Sequence, residues 1–475
     1  MLKLVRYLTS EELGLELAKT PKGSLDFVIL VTGTDAAEWW FNCAETAAQA
    51  LREGGLLFIQ GVPENLPELG VYLDSRLHFK YWIAVESAPR LRSPLPSVHA
   101  AVLMFAKGKT FQISRLRFPH QYCRACGKPL RDWGGKSHLR HPEGVAISDV
   151  WKGLPPENNY TGLSQPVLDM LLRMVSPTGR LEDIAALEGM VGPAERLVSP
   201  GEIPSHYQAA SPLSLPPAPE SKSLPINTVI QGDILEVLKA FPDESVDLAF
   251  ADPPYNLAKA YTTYDDKKSR EAYIAWCNAW LEEYIRILKP TGSLYILNLP
   301  RWGMYHAAYL NRRLYFQNWI VWDALAEPRG KLLPAHYALL FYTKHPTNFT
   351  FNYEDVGEVD ARFYCLRPSC IRWRKARGED QKEPLTDIWW DIHRIRHRRY
   401  RDYHPCQLPD ALLERIIRLS TNPGDIVLDG LAGTGTTAVV AARLGRQYIA
   451  IDIDPDYVAL ARGKLKKHIC LTNSL

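Results

Sequence analysis

The sequence predicts an α/β protein of two tandem Rossmann-like domains, each built on a mixed, mostly parallel sheet. Three observations carry this. An apolar strand, residues 246–251, runs straight into Asp252-Pro253-Pro254-Tyr255. A strand, glycine turn, helix and second strand follow one another across residues 424–452. Six segments of the first half recur in the same order in the second half.

Along the first half, Ser24-Leu25-Asp26-Phe27-Val28-Ile29-Leu30 parallels Ser245-Val246-Asp247-Leu248-Ala249-Phe250-Ala251. A helix containing Cys43 leads to the glycine-headed strand 54–59, as a helix containing Cys277 leads to 292–297. Residues 79–85 answer 316–322, 98–105 answer 335–342, and 147–151 answer 385–389. The helix entered at Leu163-Ser164-Gln165-Pro166 answers residues 406–419. Where the second copy carries its acid, prolines and tyrosine, the first has Val31-Thr32-Gly33-Thr34, and residues 179–197 hold no glycine loop. The first copy is therefore expected to be degenerate and the second active. The expected boundaries are 1–210 for the first domain, 211–224 for a Pro/Ser-rich semi-extended linker, and 225–475 for the second.

The two prolines after residue 251 forbid both helix and further ladder, so Asp252 and Tyr255 are expected at the carboxyl edge of the sheet, where open α/β folds keep their sites. A carboxylate beside a carbonyl and a flat ring suits the exocyclic amino group of a planar heterocycle. In the second unit, Asp429 ends a strand and Gly433, Gly435 and Thr436 form the turn into a helix whose first N–H groups are unpaired. Asp452 ends the next strand about twenty residues on, where such folds place an acid on ribose hydroxyls.

These residues resemble the amino-methyltransferases that use S-adenosylmethionine (AdoMet) to methylate N6 of adenine or N4 of cytosine in DNA. Asp252-Pro253-Pro254-Tyr255 matches the family's catalytic motif and residues 429–437 its AdoMet loop. His404-Pro405-Cys406-Gln407-Leu408-Pro409 matches the segment before the family's amphipathic helix, which implies that His404 and Gln407 border the cofactor; Asp233 looks like a further AdoMet contact. The catalytic motif precedes the AdoMet loop, the order of the family's circularly permuted β group. The resemblance covers roughly residues 225–470. It departs at Gly430-Leu431, where the family has Pro-Phe, which implies a weaker contact with the AdoMet adenine. It implies a site-specific DNA methyltransferase acting on a base flipped out of the duplex. The carboxylate of Asp252 and the carbonyl of Pro253 would accept the two amino N–H bonds, Tyr255 would stack on the base, and the methyl would pass directly, in line, to nitrogen. Asn256 extends the motif to the form common in adenine enzymes, so N6-adenine is expected. N4-cytosine methylation, RNA amino-methylation and a non-catalytic nucleic-acid-binding pseudoenzyme are the alternatives.

A net charge of +3 over 475 residues is too small to mark a nucleic-acid partner, so a DNA surface must be local. Arg372, Arg374 and Lys375, then Arg394, Arg396, Arg398 and Arg399, are interleaved with aromatics inside the segment 300–403, where the family places target recognition; contacts chiefly to phosphate are expected. Cys123, Cys126, His138 and His141 have spacings close to a structural zinc site, a knuckle within 123–141. No zinc is expected in the second half. Eight cysteines, no signal-peptide core and no membrane-length apolar run lead to the expectation of a cytoplasmic protein without a membrane partner. A restriction endonuclease serving the same system would be another chain, and the two halves are expected to pair intramolecularly.

Overall fold

The computed structural model of the chain describes residues 5–472 apart from 36, 91–93, 131–137, 139, 155–160, 195–223, 258–265, 325–329 and 396–406. The expected linker, up to residue 223, lies outside the described residues.

The first half runs β1 (Val5–Tyr7), α1 (Ser10–Lys19), β2 (Leu25–Gly33), α2 (Trp39–Ala50), β3 (Leu51–Gly61), α3 (Leu66–Asp74), β4 (His78–Arg90), β5 (Ser97–Ala106), β6 (Val150–Trp151), α4 (Gln165–Val175) and β7 (Gly189–Gly192). Its sheet has the order β1-β7-β2-β3-β5-β4-β6. All nine residues of β2 are buried, so it lacks apolar–polar alternation and reads as a continuous apolar run. Thr9 and Glu12 form a reciprocal capping box that starts α1.

The second half runs β8 (Thr228–Gln231), α5 (Ile234–Leu238), β9 (Val246–Ala251), α6 (Arg270–Ile287), β10 (Leu288–Asn298), α7 (Pro300–Leu310), β11 (Tyr315–Asp323), β12 (His336–Thr343), α8 (Pro368–Arg377), β13 (Ile388–Trp389), α9 (Asp410–Ser420), β14 (Ile426–Asp429), α10 (Thr436–Arg443), β15 (Gln447–Asp452) and α11 (Pro455–Thr472). Its sheet has the order β8-β15-β14-β9-β10-β12-β11-β13.

The run β2-β3-β5-β4-β6 and the run β9-β10-β12-β11-β13 agree in order and in strand direction at every pairing. Two of the ladder irregularities coincide as well. The β2–β3 ladder slips between Leu25 and Phe27 and the β9–β10 ladder between Val246 and Leu248; β4 slips between Phe79 and Tyr81, β11 between Phe316 and Asn318. The likeness ends beyond β7 and β14. In the second half a glycine turn, α10 and β15 follow β14, and β8 pairs with β15. Among the described residues the first half has no such unit, and β1 pairs directly with β7.

The halves meet through counterpart elements. Trp82 of β4 and Trp319 of β11 are fully buried and stack with centroids 3.7 Å apart and planes 7° from parallel. Asp149 accepts from the backbone N–H groups of Ala335 and His336 at 2.7 and 3.1 Å; in the opposite direction Asp387 accepts from Val98 N–H at 2.8 Å and its second oxygen lies 3.0 Å from His99 Nδ1. Helix α3 packs on α7, where Asp74 accepts from Arg301 and Tyr305. Buried carboxylates met by donors in this way fix one docking arrangement, since any shift strands them without partners.

Candidate active site

Strand β9 lies in the middle of its sheet, parallel to β10 on one side and β14 on the other, so its carboxyl end opens between two others. Asp252, Pro253 and Pro254 line a cavity there with Asp233, Gln407, Leu408, Asp429, Leu431, Gly433, Thr436, Asp452, Asp454, Trp276 and Tyr457. The cavity thus brings together the motif, the glycine turn, the acid ending β15, the residue at the head of α5 and Gln407. His404 lies outside the described residues.

The motif is held from several sides. Tyr255 is 5% exposed, and its hydroxyl donates to Asp252 Oδ1 at 2.7 Å. This differs from the expected stacking role: the ring is packed inward and lies 5.9 Å from Tyr337. Tyr273 donates to the Pro254 carbonyl at 2.8 Å, and Trp302 Nε1 to the Tyr255 carbonyl at 2.8 Å. Asn256 has φ +53°, and its N–H donates to Asp266 at 2.8 Å.

The glycine turn shows why its residues are what they are. Gly433 and Gly435 have φ +51° and +76°, and a Cβ on Gly435 would stand 2.5 Å from Ala461 of α11. Asp429 is buried and accepts from Leu431 N–H at 3.1 Å and from Thr437 Oγ1 at 2.5 Å. Asp452 accepts from Gly433 N–H at 2.7 Å and Asp454 N–H at 2.8 Å. Asp233 caps α5 by accepting from Leu235 N–H at 2.9 Å. Burial pushes the Asp429 carboxyl up to about 7 and that of Asp452 to about 6; like charge adds to both, from Asp452 on Asp429 and from Asp454 on Asp452.

Gly430 also has a structural cause. Its N–H donates to Tyr284 Oη at 2.8 Å while that hydroxyl donates to the Phe250 carbonyl at 3.0 Å, tying the end of β14 to β9. A Cβ at 430 would meet Tyr284 Oη at 2.5 Å and Ile234 Cδ1 at 2.7 Å. Proline has no N–H to give and too many atoms for the space.

Sequence reasoning missed Tyr273, Trp276 and Tyr284. With Trp280 they recur along α6 at three- and four-residue intervals, which reads as a core stripe. Trp280 is such a residue, fully buried, but Trp276 lines the cavity and the two tyrosines hold its loops.

The expected nucleic-acid residues divide. Arg372 and Lys375 are exposed on α8. Arg374 is corrected: its side chain is 0% exposed and paired with Asp360 at 2.7 Å and Asp380 at 3.2 Å, so it cannot reach a phosphate. Helical spacing turns position 374 inward although its neighbours face out. Arg394 is half-buried, 3.4 Å from Tyr337 Oη. Arg396, Arg398 and Arg399 lie outside the described residues.

The expected metal ligands also change. Cys123 and Cys126 have their ligand atoms within 4.8 Å of those of Cys365 and Cys370, not of His138 and His141. Both histidines are exposed, and the His141 carbonyl faces His120 Nε2 at 2.8 Å. Two cysteines from the other half outcompete histidines that are nearer in sequence, which spacing within one segment does not reveal.

A carboxylate-rich cleft at the carboxyl edge of a parallel sheet, with a glycine turn opening a helix, defines an α/β site for a nucleoside-type ligand. Residues 246–463 match the family model N6_N4_Mtase, DNA methylase. The chain is 41% identical over 237 residues to the type II methyltransferase M.BamHI of Bacillus amyloliquefaciens, covering 48% of this chain and 55% of that one, so it spans only about half of that relative's length. It is 36% identical to the type II methyltransferase M.HpaI of Haemophilus parainfluenzae, over 50% of this chain and 73% of the relative. Against the DNA adenine methyltransferase YhdJ of Escherichia coli (strain K12) it is 36% identical, over 50% of this chain and 82% of the relative. The chain belongs to the N6/N4 DNA methylase family. No described helix is long and apolar enough to cross a membrane.

Proposed function

We propose that the chain is an AdoMet-dependent DNA methyltransferase that modifies N6 of adenine, with Asp252 as the catalytic carboxylate. The observation that carries this is the convergence of Asp252, Pro253 and Pro254 with Asp233, Asp429, Gly433, Thr436 and Asp452 on one cavity. The cavity suits AdoMet: close backbone approach is allowed by the two left-handed glycines, and three carboxylates offer acceptors for an amine, a ribose diol and a sulfonium charge. Trp276, Leu431 and Tyr457 supply apolar surface for an adenine ring. Bound AdoMet supplies an electrophilic methyl group that an amino nitrogen takes directly. Asp252 and the Pro253 carbonyl accept the amino N–H bonds of the target base and so free the nitrogen lone pair. Tyr255 keeps the Asp252 carboxylate in position through its hydroxyl, and Tyr273 occupies the Pro254 carbonyl, leaving recognition to Pro253. Positioning and electrostatics carry the acceleration. Adenine is favoured by Asn256 and by the adenine activity named for the Escherichia coli relative.

Nucleoside mass spectrometry on DNA from cells expressing the chain is expected to show N6-methyladenine. N4-methylcytosine instead would reverse the base assignment, and neither mark would favour RNA or a binding role.

Cofactor affinity is expected to depend on pH with a definite sign. Without ligand, Asp429 keeps its proton up to about pH 7 and Asp452 up to about 6. A sulfonium cation favours their ionised forms, so binding below these values releases protons. Affinity should therefore rise as pH rises toward 7 and then level off. Calorimetry in buffers of different ionisation enthalpy checks this; proton uptake on binding would contradict it.

The first half is read as a degenerate copy of the same domain, fused to the active one as a permanent partner and lacking the glycine turn and the acid of the motif. Support comes from the matched strand orders and bulges and from the counterpart contacts of Trp82 with Trp319 and of Asp149 and Asp387. Covalent linkage gives the partner a high effective concentration. Its role is to complete the DNA-holding surface with Arg372 and Lys375. Residues 225–475 expressed alone should lose most specific activity on duplex DNA and expose Trp319; full activity would end this reading.

A further inference from the structure

We propose that Cys123, Cys126, Cys365 and Cys370 form one zinc site shared between the two halves, a metal clamp that fastens the first turn of α8 and the segment before it to the knuckle of the first half. The four ligand atoms lie within 4.8 Å of one another, and two of the pairs, Cys123 with Cys370 and Cys126 with Cys365, each span the halves at 3.7 Å. A tetrahedron of thiolates about 2.3 Å from zinc has sulfur–sulfur edges of about 3.8 Å. Two of the six edges therefore already have that length, and none exceeds 4.8 Å. All four cysteines are free thiols here, and sulfur-only tetrahedral ligation selects zinc or iron rather than a hard cation.

The backbone sets the position of the first half's two sulfurs. Cys123 N–H donates to the Lys128 carbonyl at 2.8 Å and Gly127 N–H to the Cys123 carbonyl at 2.9 Å, with Gly127 at φ +66°: a tight knuckle that presents both sulfurs on one side. The Cys365 N–H, from the other half, donates to Cys123 Sγ at 3.3 Å.

Arg374 gains its explanation here. It sits one helical turn beyond Cys370, fully buried, with Nη1 3.2 Å from the Cys365 carbonyl and 3.9 Å from Cys370 Sγ. Zinc with four thiolates carries net negative charge, which the guanidinium offsets, while Asp360 and Asp380 hold the guanidinium in place. A second arginine, Arg367, reaches across to donate to the Pro129 carbonyl at 2.9 Å. The residue that looked like a phosphate contact is thus part of the metal's outer shell.

Full-length protein purified without chelator should contain one zinc per chain by inductively coupled plasma mass spectrometry. Because each half donates only two sulfurs, Cys365→Ser with Cys370→Ser should remove all the zinc, as should Cys123→Ser with Cys126→Ser. His138→Ala with His141→Ala should keep it. A misfolded variant would also lose metal, so the wild-type chain is titrated with a mercurial in the presence of a zinc-sensitive dye. Zinc release in step with four modified thiols supports the site. Wild-type protein without zinc, protein carrying iron in its place, or loss of zinc from the histidine variant would overturn the proposal.

Discussion

Asp252→Ala in the full chain is expected to lower methyl transfer by on the order of 10³-fold or more while leaving AdoMet affinity nearly unchanged. Asp252 stands at the motif end of the cavity, and Asp233, Asp429 and Asp452 are grouped on the three loops that would hold the cofactor. Its loss removes the acceptor for the target amino group and also strands the Tyr255 hydroxyl, which has Asp252 Oδ1 as a partner at 2.7 Å. The split between rate and binding is the informative readout. Single-turnover methylation and calorimetry on the same preparation give both, and a variant that methylates at near-wild-type rate would remove Asp252 from the mechanism. Loss of AdoMet binding as well would place the acid in the cofactor site instead.

Restoring the family's proline with Gly430→Pro is expected to damage this chain rather than improve it. The substitution removes the N–H that donates to Tyr284 Oη and sets new atoms against Tyr284 and Ile234. The Tyr284 hydroxyl keeps the Phe250 carbonyl, so the lost hydrogen bond costs about 0.5–1.5 kcal/mol, and forcing extra carbon into a packed site costs about another 1–3 kcal/mol. The melting temperature should fall by several degrees, roughly 2–4 °C per kcal/mol for large domains, and AdoMet binding should weaken because Asp429 and Leu431 flank the change. The companion Leu431→Phe adds a ring to the cavity lining and is expected to strengthen cofactor binding on its own. Thermal melts and calorimetry check both; an unperturbed Gly430→Pro protein would show that the Tyr284 bridge is dispensable.

The difference between these two positions illustrates what a sequence displays. Asp252 announces itself because two prolines after an apolar strand leave the chain no regular structure to continue in, so its placement at a sheet edge follows from local chemistry. The left-handed glycines of the turn are legible for the same reason, since few other residues adopt that backbone. Gly430 is not legible in this way. Its cause is the hydroxyl of a tyrosine 146 residues away. Tyr284 itself sits in an aromatic stripe whose spacing is that of any buried helix face.

The shared strand order of the two halves was readable because it follows from apolar patterning. So was the difference at the strand end, since residues 31–34 hold neither acid nor proline. How the halves face each other was not. The stacking of Trp82 on Trp319 and the crossing of Asp149 and Asp387 to backbone donors of the other half involve residues that, in sequence, look like ordinary strand ends.

By itself, then, the sequence determined the α/β class, the edge position of Asp252-Pro253-Pro254, the glycine turn at 433–435 and the acid at 452, because each depends on neighbours within a few residues along the chain. Only the tertiary structure decided which cysteines meet, that Arg374 turns inward to them, and that Tyr255 packs against Asp252. Those outcomes depend on distances between segments remote in sequence, and a thiol or guanidinium takes its partner from whatever the fold brings within reach.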